Sequence, residues 1–196
     1  MALLRHLGSS LLILGGSLMV CNCGNDDPVS SISYSIAGAP EKVISVSSSL
    51  ETDFGSDYKL YTLHLTTFRD FGQALSINIA NWSFQNPPEN GILERTYDAI
   101  FDYEPGNANN PNAACLELTG SSAGTILCEG SVLAYIGSGG IYISKFDGNT
   151  NTTVTITECN TSSRLVSGTF KGNLRNPDKK QITIEGSFKN IKYVVK

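Results

Sequence analysis

The sequence has few of the residues that enzymes most often use for proton transfer and metal binding. Its 196 residues include only two histidines, and charged side chains make up 16% of the chain. The GxSxG, HExxH, P-loop and Rossmann glycine patterns are missing, and so is the CxxC spacing of zinc sites. These absences count against those enzyme classes, and we expect neither a metal nor another cofactor.

A surplus of positive charge is also missing. The chain has 14 Lys and Arg residues against 18 Asp and Glu residues, and removal of a leader containing Arg5 would leave a net charge of 13 − 18 = −5. A domain of this charge has no electrostatic attraction for nucleic acid or for an anionic lipid surface. We therefore expect no nucleic-acid partner.

The one long apolar run extends from Leu7 to Val20, and Arg5 and His6 precede it. As a helix this run would span roughly 21 Å, which is shorter than the ~30 Å hydrocarbon core of a membrane. The run therefore predicts a cleaved signal peptide over residues 1–20 and not a transmembrane helix.

The residues that end this run, Leu18-Met19-Val20-Cys21, resemble the lipobox of bacterial lipoproteins. The resemblance implies that Cys21 is acylated, with palmitate for example, and becomes the new N-terminus, so that lipid chains anchor the protein to a membrane. Val20 stands where the lipobox has a small residue, and Cys23 is the alternative site. A secreted protein cleaved elsewhere is the other alternative, but it needs a small-x-small site, and none is obvious.

Residues 21–31 are polar and contain Gly and Pro, which predicts a flexible tether that starts at the lipidated cysteine. Residues 32–196 then form one folded domain. Asp26 and Asp27 resemble the surface-export signal of lipoproteins in Bacteroidota. This resemblance implies that the protein is attached to the outer membrane of the bacterial cell envelope. It does not distinguish the periplasmic side of that membrane from the exposed side.

The folded part predicts an all-β domain. Polar and apolar residues alternate in short runs broken by Gly, Asn, Asp and Pro, and long helical stripes are missing. About ten strands at this spacing favour an antiparallel two-sheet β-sandwich or a partly closed barrel.

The second half of the sequence predicts three hairpins, each from two strand patterns around a turn signal. In the final strand, Phe188 and Ile191 are an odd number of residues apart, so a regular strand would point them to opposite faces of the sheet. A bulge near Asn190 would bring both into the core. The paired segments are 113–119 with 124–135, 140–146 with 152–159, and 165–174 with 181–195.

Two of these strands carry related motifs, Ser167-Gly168-Thr169-Phe170 and Glu185-Gly186-Ser187-Phe188. With the Gly-rich approach to Tyr97, they resemble β-rich lipoproteins of Bacteroidota, in which a Gly-Thr-Phe strand pairs with a C-terminal Gly-x-Phe strand. The resemblance covers chiefly residues 91–195. It implies a cell-envelope β-sandwich and assigns no catalytic residue.

Three cysteines lie in the folded part. If Thr119 pairs with Gly124, Cys115 lies opposite Cys128, where a cross-strand disulfide can form in an oxidising envelope. The alternatives are that both are small buried side chains, or that Cys128 pairs with Cys159.

His64 is the one histidine outside the leader, and its position between Leu63 and Leu65 predicts an outward strand residue and not a catalytic base.

Four acidic residues at even positions form an acidic row on or beside one candidate strand. This row predicts a solvated strand face, although two of its carboxylates at ~5–9.5 Å would suit glycoside hydrolysis. Its members are Glu94, Asp98, Asp102 and Glu104. The run Asp147–Asn151 could supply calcium ligands, but a hairpin turn explains it without a metal.

Aromatic residues are the last candidates for a site. Trp82 and Tyr97 would form a stacking platform for sugar rings if they are exposed, and ordinary core if they are buried. We therefore expect a non-enzymatic, membrane-anchored binding or scaffold module, with a glycan or an envelope protein as its partner. A glycan-binding surface module and a glycosidase-like hydrolase that uses paired carboxylates are the alternatives. The oligomeric state stays open.

Overall fold

The computed structural model describes residues 29–55, 58–83, 91–100, 114–117, 126–144 and 151–196. The predicted signal peptide, Cys21, Cys23 and most of the tether lie outside these residues. Within them the chain forms β-strands and one short 3-10 turn, Asp70–Gly72, which confirms the all-β prediction. In this part of the chain, no helix is long and apolar enough to span a membrane.

Thirteen strands make up the described fold. In chain order they are β1 (Ser31–Ile36), β2 (Ala39–Glu41), β3 (Ser45–Phe54), β4 (Lys59–Phe68), β5 (Ala74–Ser83), β6 (Thr96–Asp98), β7 (Ala114–Glu117), β8 (Ile126–Gly137), β9 (Gly140–Ile143), β10 (Thr153–Asn160), β11 (Leu165–Arg175), β12 (Gln181–Lys192) and β13 (Val194–Val195).

Hydrogen bonds join these strands into one large sheet that does not close. The sequence favoured an antiparallel two-sheet sandwich or a partly closed barrel, and the all-β class common to both is confirmed. The main path is β13-β3-β4-β5-β8-β9-β11-β12-β1-β2, with β10 beside β11, β6 beside β10 and β7 beside β8. The named pairs are antiparallel except for the parallel pair of β13 with β3. A single sheet results because β9 pairs with both β8 and β11 and so connects the two halves of the domain.

The two ends of the strand order come close together through β13, which follows β12 directly and pairs with β3. Ser48 of β3 donates a side-chain hydrogen bond to the carbonyl of Lys192. One cluster of buried residues draws on both halves of the sheet, for example Leu65 and Ile77 from one half and Phe170 and Phe188 from the other. The sheet therefore curves around a common core.

The two Gly-x-Phe motifs pair with each other in this core. Gly168 lies opposite Phe188, and Phe170 lies opposite Gly186. A Cβ atom on Gly168 would lie 2.6 Å from the ring of Phe188, and one on Gly186 would lie 2.6 Å from the ring of Phe170. A backbone carbonyl oxygen is closer still, that of Thr155 at Gly168 and that of Ser33 at Gly186. Each glycine is therefore needed because a neighbouring backbone and a phenylalanine ring together occupy the space of its side chain.

The final strand contains the predicted bulge. Val166 pairs with Ile191 while Gly168 pairs with Phe188, so β12 has one residue more than β11 across this interval. Asn190 lies in the bulge with φ at 51°, and its N–H donates a 3.0 Å hydrogen bond to the hydroxyl of Ser167. The bulge turns both Phe188 and Ile191 into the core.

One predicted hairpin is wrong. Segments 140–146 and 152–159 do not pair with each other, because β9 pairs with β8 and β11, whereas β10 pairs with β11 and β6. The outer hairpins, β7 with β8 and β11 with β12, form as predicted.

Candidate functional site

Alternation along five neighbouring strands places a regular set of hydroxyl groups on the outside of the sheet. We call the outward side of β6, β10, β11, β12 and β1 the hydroxyl face. Its first row, the hydroxyl row, contains one residue from each strand, all directly opposite one another: Thr96, Thr155, Thr169, Ser187 and Ser33. The residues on either side of Thr169 are buried, so its own side chain points outward.

The hydroxyl groups are in contact at both ends of the hydroxyl row. The hydroxyls of Thr96 and Thr155 lie 2.9 Å apart, and those of Ser33 and Ser187 lie 3.4 Å apart. Thr169 occupies the centre of the row and is exposed. Since neighbouring strands are ~4.8 Å apart, the five positions extend over about 19 Å.

A second row lies beside the first, two residues further along each strand. This charged row contains Asp98, Thr153, Lys171, Glu185 and Ser35, again in register. Lys171 lies between Thr153 and Glu185. Its ammonium group is therefore placed among neutral and acidic neighbours, so the row does not form a cationic patch.

Two grooves follow these rows. One of about 700 Å³ is lined by the hydroxyl row from Ser33 to Thr155, and one of about 650 Å³ extends from Glu185 to Asp98. Thr153, Lys171 and Glu185 line both. The two grooves are open to solvent and together cross the strands.

The structure corrects the aromatic platform that the sequence suggested. Tyr97 is only 2% exposed, and its hydroxyl lies 2.8 Å from the N–H of Leu93, which donates to it. The guanidinium of Arg95 lies 4.8 Å from the centre of the Tyr97 ring, and burial raises the pKa of the Tyr97 hydroxyl. The ring has no free face for a sugar because it belongs to the core.

Trp82 does not share a surface with Tyr97. It occupies an outward position of β5 opposite Leu60 and is partly buried, whereas Tyr97 points inward from β6. The structure therefore does not bring the two predicted stacking residues together.

The structure does not bring the described members of the acidic row, Glu94 and Asp98, together at one site. The carboxylate of Glu94 accepts a 3.0 Å hydrogen bond from the N–H of Cys159, and Asp98 is part of the groove. Asp102 and Glu104 lie outside the described residues. Asp98 and Glu185 line the same groove, but three strand spacings put them about 14 Å apart, beyond the ~5–9.5 Å range of paired glycosidase carboxylates.

His64 is an outward residue between the buried Leu63 and Leu65, as its sequence position predicts. Its Nδ1 lies 2.6 Å from Oδ1 of Asn78, and its Nε2 lies 3.6 Å from Oε2 of Glu51. These groups line a smaller groove of about 310 Å³ on β3, β4 and β5, together with Ser49 and Lys196. Among the described residues no cluster of three or more His, Cys, Asp or Glu side chains could hold a metal ion.

Cys115 and Cys128 lie opposite each other in the register that the hairpin pattern predicts, and a disulfide joins them. Their Cα atoms are 4.0 Å apart. The alternative pair, Cys128 with Cys159, is therefore not formed.

Of the candidate calcium loop, residues 147–150 lie outside the described part of the chain.

Comparisons of the chain with protein-family models, with curated proteins and with solved structures give no match. The geometry of the hydroxyl face is therefore what bears on function. Sequence reasoning missed this face because its rows combine residues as distant as Ser33 and Ser187, whose register depends on the complete strand order. The alternation of polar and apolar residues within each strand was the feature of the sequence that could have indicated a polar outer face.

Proposed function

We propose that this protein is a non-enzymatic binding module of the bacterial cell envelope, anchored by lipid at Cys21, that holds a polar partner on its hydroxyl face. One observation carries the binding part of this proposal. Two in-register polar rows run across five strands, and all of their residues except Thr96 line one of two open grooves that share Thr153, Lys171 and Glu185. In ligand-binding clefts, a few convergent polar groups fix the orientation of the ligand and provide specificity.

The face is also suited to binding because its polar groups are available without a change in the fold. The backbone groups of β11 and β12 are used in the sheet on both sides, so a ligand meets side chains. The exposed side chains of Thr169 and Ser187 project from strands whose opposite sides are fixed by Phe170 and Phe188 in the core. Such a preorganised surface loses little conformational entropy when it binds.

The binding part of the proposal is tested by removing hydroxyl groups from the groove. We expect the triple variant Thr155→Val, Thr169→Val, Ser187→Ala to lose at least tenfold in affinity for an envelope polymer that the unmodified protein retains in affinity electrophoresis, because three hydrogen bonds at about 1 kcal/mol each are lost. The panel would contain purified polysaccharides and extended peptides.

A matched control removes the same groups from the other half of the sheet. The variant Thr62→Val, Thr66→Val, Ser76→Ala changes outward residues of β4 and β5. It should bind like the unmodified protein. Equal losses in both triple variants, or no retention by any polymer, would refute a binding role for the hydroxyl face.

The anchor is tested separately. Cys21→Ala should move the protein from the membrane fraction to the soluble fraction and abolish labelling with radioactive palmitate, whereas Cys23→Ala should do neither. Unchanged partitioning of the Cys21→Ala variant would refute the lipidated N-terminus.

A further inference from the structure

We infer that the ligand of the hydroxyl face is a neutral polysaccharide chain that lies across the strands along the hydroxyl row. This inference rests on the proposed binding function and specifies the chemistry of its ligand. Threonine and serine hydroxyls can each donate and accept a hydrogen bond, as sugar hydroxyls do. A row made only of such groups therefore matches a polyol without requiring one fixed arrangement of donors and acceptors.

The spacing of the row favours a polymer over a small molecule. A hydroxyl-bearing side chain recurs at every strand from Thr96 to Ser33, at ~4.8 Å intervals. A ligand that uses the whole row must present hydrogen-bonding groups at short, regular intervals over about 19 Å. A sugar chain does this because each unit repeats the same hydroxyl groups.

A peptide strand fits the face less well. Extended peptides bind sheets by adding to an edge, where backbone N–H and C=O groups are unpaired. The groove lies over β10, β11 and β12, each of which has a neighbour on both sides. Their backbone groups are already used in the sheet, so a peptide would find only side chains there.

The charges favour a neutral ligand over an anionic one. In the charged row, Lys171 is accompanied by Glu185 and Asp98, and the whole chain carries a net charge of −4. Lys189, two residues beyond Ser187 on β12, is exposed beside the hydroxyl row, so the two rows and this neighbour carry two cations against two carboxylates. Because the face has no surplus of positive charge, an acidic polysaccharide gains no net attraction there and meets the negative charge of the whole chain.

Binding should strengthen with chain length because hydrogen bonds, and not aromatic stacking, hold the sugar. The aromatic rings nearest the groove, those of Tyr34 and Phe170, are buried at 5% and 3% exposure. Each additional sugar unit adds hydrogen bonds to one more strand until the chain spans the row. Affinity should then stop rising once an oligosaccharide exceeds about 19 Å.

The experiment measures binding by calorimetry for a ladder of linear neutral oligosaccharides, a matched ladder containing uronic acids, and an extended serine-rich peptide. For the neutral ladder, we expect affinity to rise with length and then level off. The variant Thr169→Val, at the centre of the row, should weaken binding of the longest neutral oligosaccharide about two- to tenfold, and Thr66→Val on β4 should leave it unchanged.

The outcomes separate this inference from the proposed function. If the acidic ladder or the peptide binds more tightly than the neutral ladder, and Thr169→Val weakens that binding, the ligand class is wrong but the binding face stands. If no member of the panel binds, or if Thr66→Val and Thr169→Val have the same effect, both are overturned. Circular dichroism and thermal unfolding of each variant would establish that it remains folded.

Discussion

The outward side of this sheet has two unlike regions. On the hydroxyl face, every position of the hydroxyl row and the charged row is polar. On the outward side of β3, β4, β5, β8 and β9, which we call the mixed face, the polar groove around His64 gives way to an apolar row. This row contains Phe68, Ala74, Ile136 and Ile141, which lie opposite one another on four strands.

The comparison shows that the two faces differ in what they can bind, although they cover one core. Phe68, Ile136 and Ile141 are 47%, 45% and 53% exposed, so the apolar row is in contact with water. A face that is polar across five strands needs hydrogen-bonding partners, whereas an exposed apolar row favours association through the hydrophobic effect. The binding role proposed above belongs to the first face alone.

The largest effect that distinguishes the two regions should come from phenylalanines on opposite sides of the sheet. Phe188 is 1% exposed and packs over Gly168 beneath the hydroxyl face, whereas Phe68 lies in the exposed apolar row. Phe188→Ala should lower the free energy of unfolding by about 3–5 kcal/mol, because it leaves a cavity in the core. Phe68→Ala should lower it by only about 1 kcal/mol, because the ring is about half exposed.

Urea unfolding followed by circular dichroism gives both values. Similar losses in the two variants would show that the apolar row is packed as the core is, and the distinction between the faces would fail. A small loss for Phe188→Ala would mean that the Gly-x-Phe pair does not support the hydroxyl face.

Much of the fold could be predicted because its strands obey local rules. The alternation around His64, the bulge at Asn190 and the opposition of Cys115 to Cys128 each depend on a single strand or hairpin. The pairing of the two Gly-x-Phe strands is also local, since one short turn connects β11 to β12.

What could not be predicted depends on contacts between distant segments. The hairpin between segments 140–146 and 152–159 fails because β11 pairs with both β9 and β10, and no rule of local turn chemistry reveals such a shared neighbour. Tyr97 is buried because β6 docks beside β10, where Val154 lies opposite it. The hydroxyl row requires the order of five strands, from both ends of the chain.

An intermediate effect should come from the Cys115–Cys128 disulfide, which joins β7 to β8 and so belongs to the mixed-face half. Replacing both cysteines by alanine should lower the free energy of unfolding by about 2–4 kcal/mol, because the unfolded chain is no longer cross-linked. The bond itself should appear as a 2 Da increase in mass on reduction, since one disulfide takes up two hydrogens.

The same variant tests whether the two halves of the sheet act independently, if its ligand binding is measured under conditions where it stays folded. Neither cysteine lines the two grooves of the hydroxyl face. Affinity for a polysaccharide should therefore equal that of the unmodified protein, and a parallel loss of affinity would show that the two halves are coupled.

The smallest effect on stability should come from the apolar row itself. The double variant Phe68→Ser, Ile136→Ser should lower the free energy of unfolding by only about 1–2 kcal/mol, since each side chain is about half exposed. If copies of the protein associate through this row, the double variant should show a smaller rise of sedimentation coefficient with concentration than the unmodified protein, because less apolar surface is exposed to water. The control Thr62→Ser, Thr66→Ser on the same face should leave sedimentation unchanged. If the double variant sediments like the unmodified protein at every concentration, the apolar row does not drive association, and the two faces differ in composition alone.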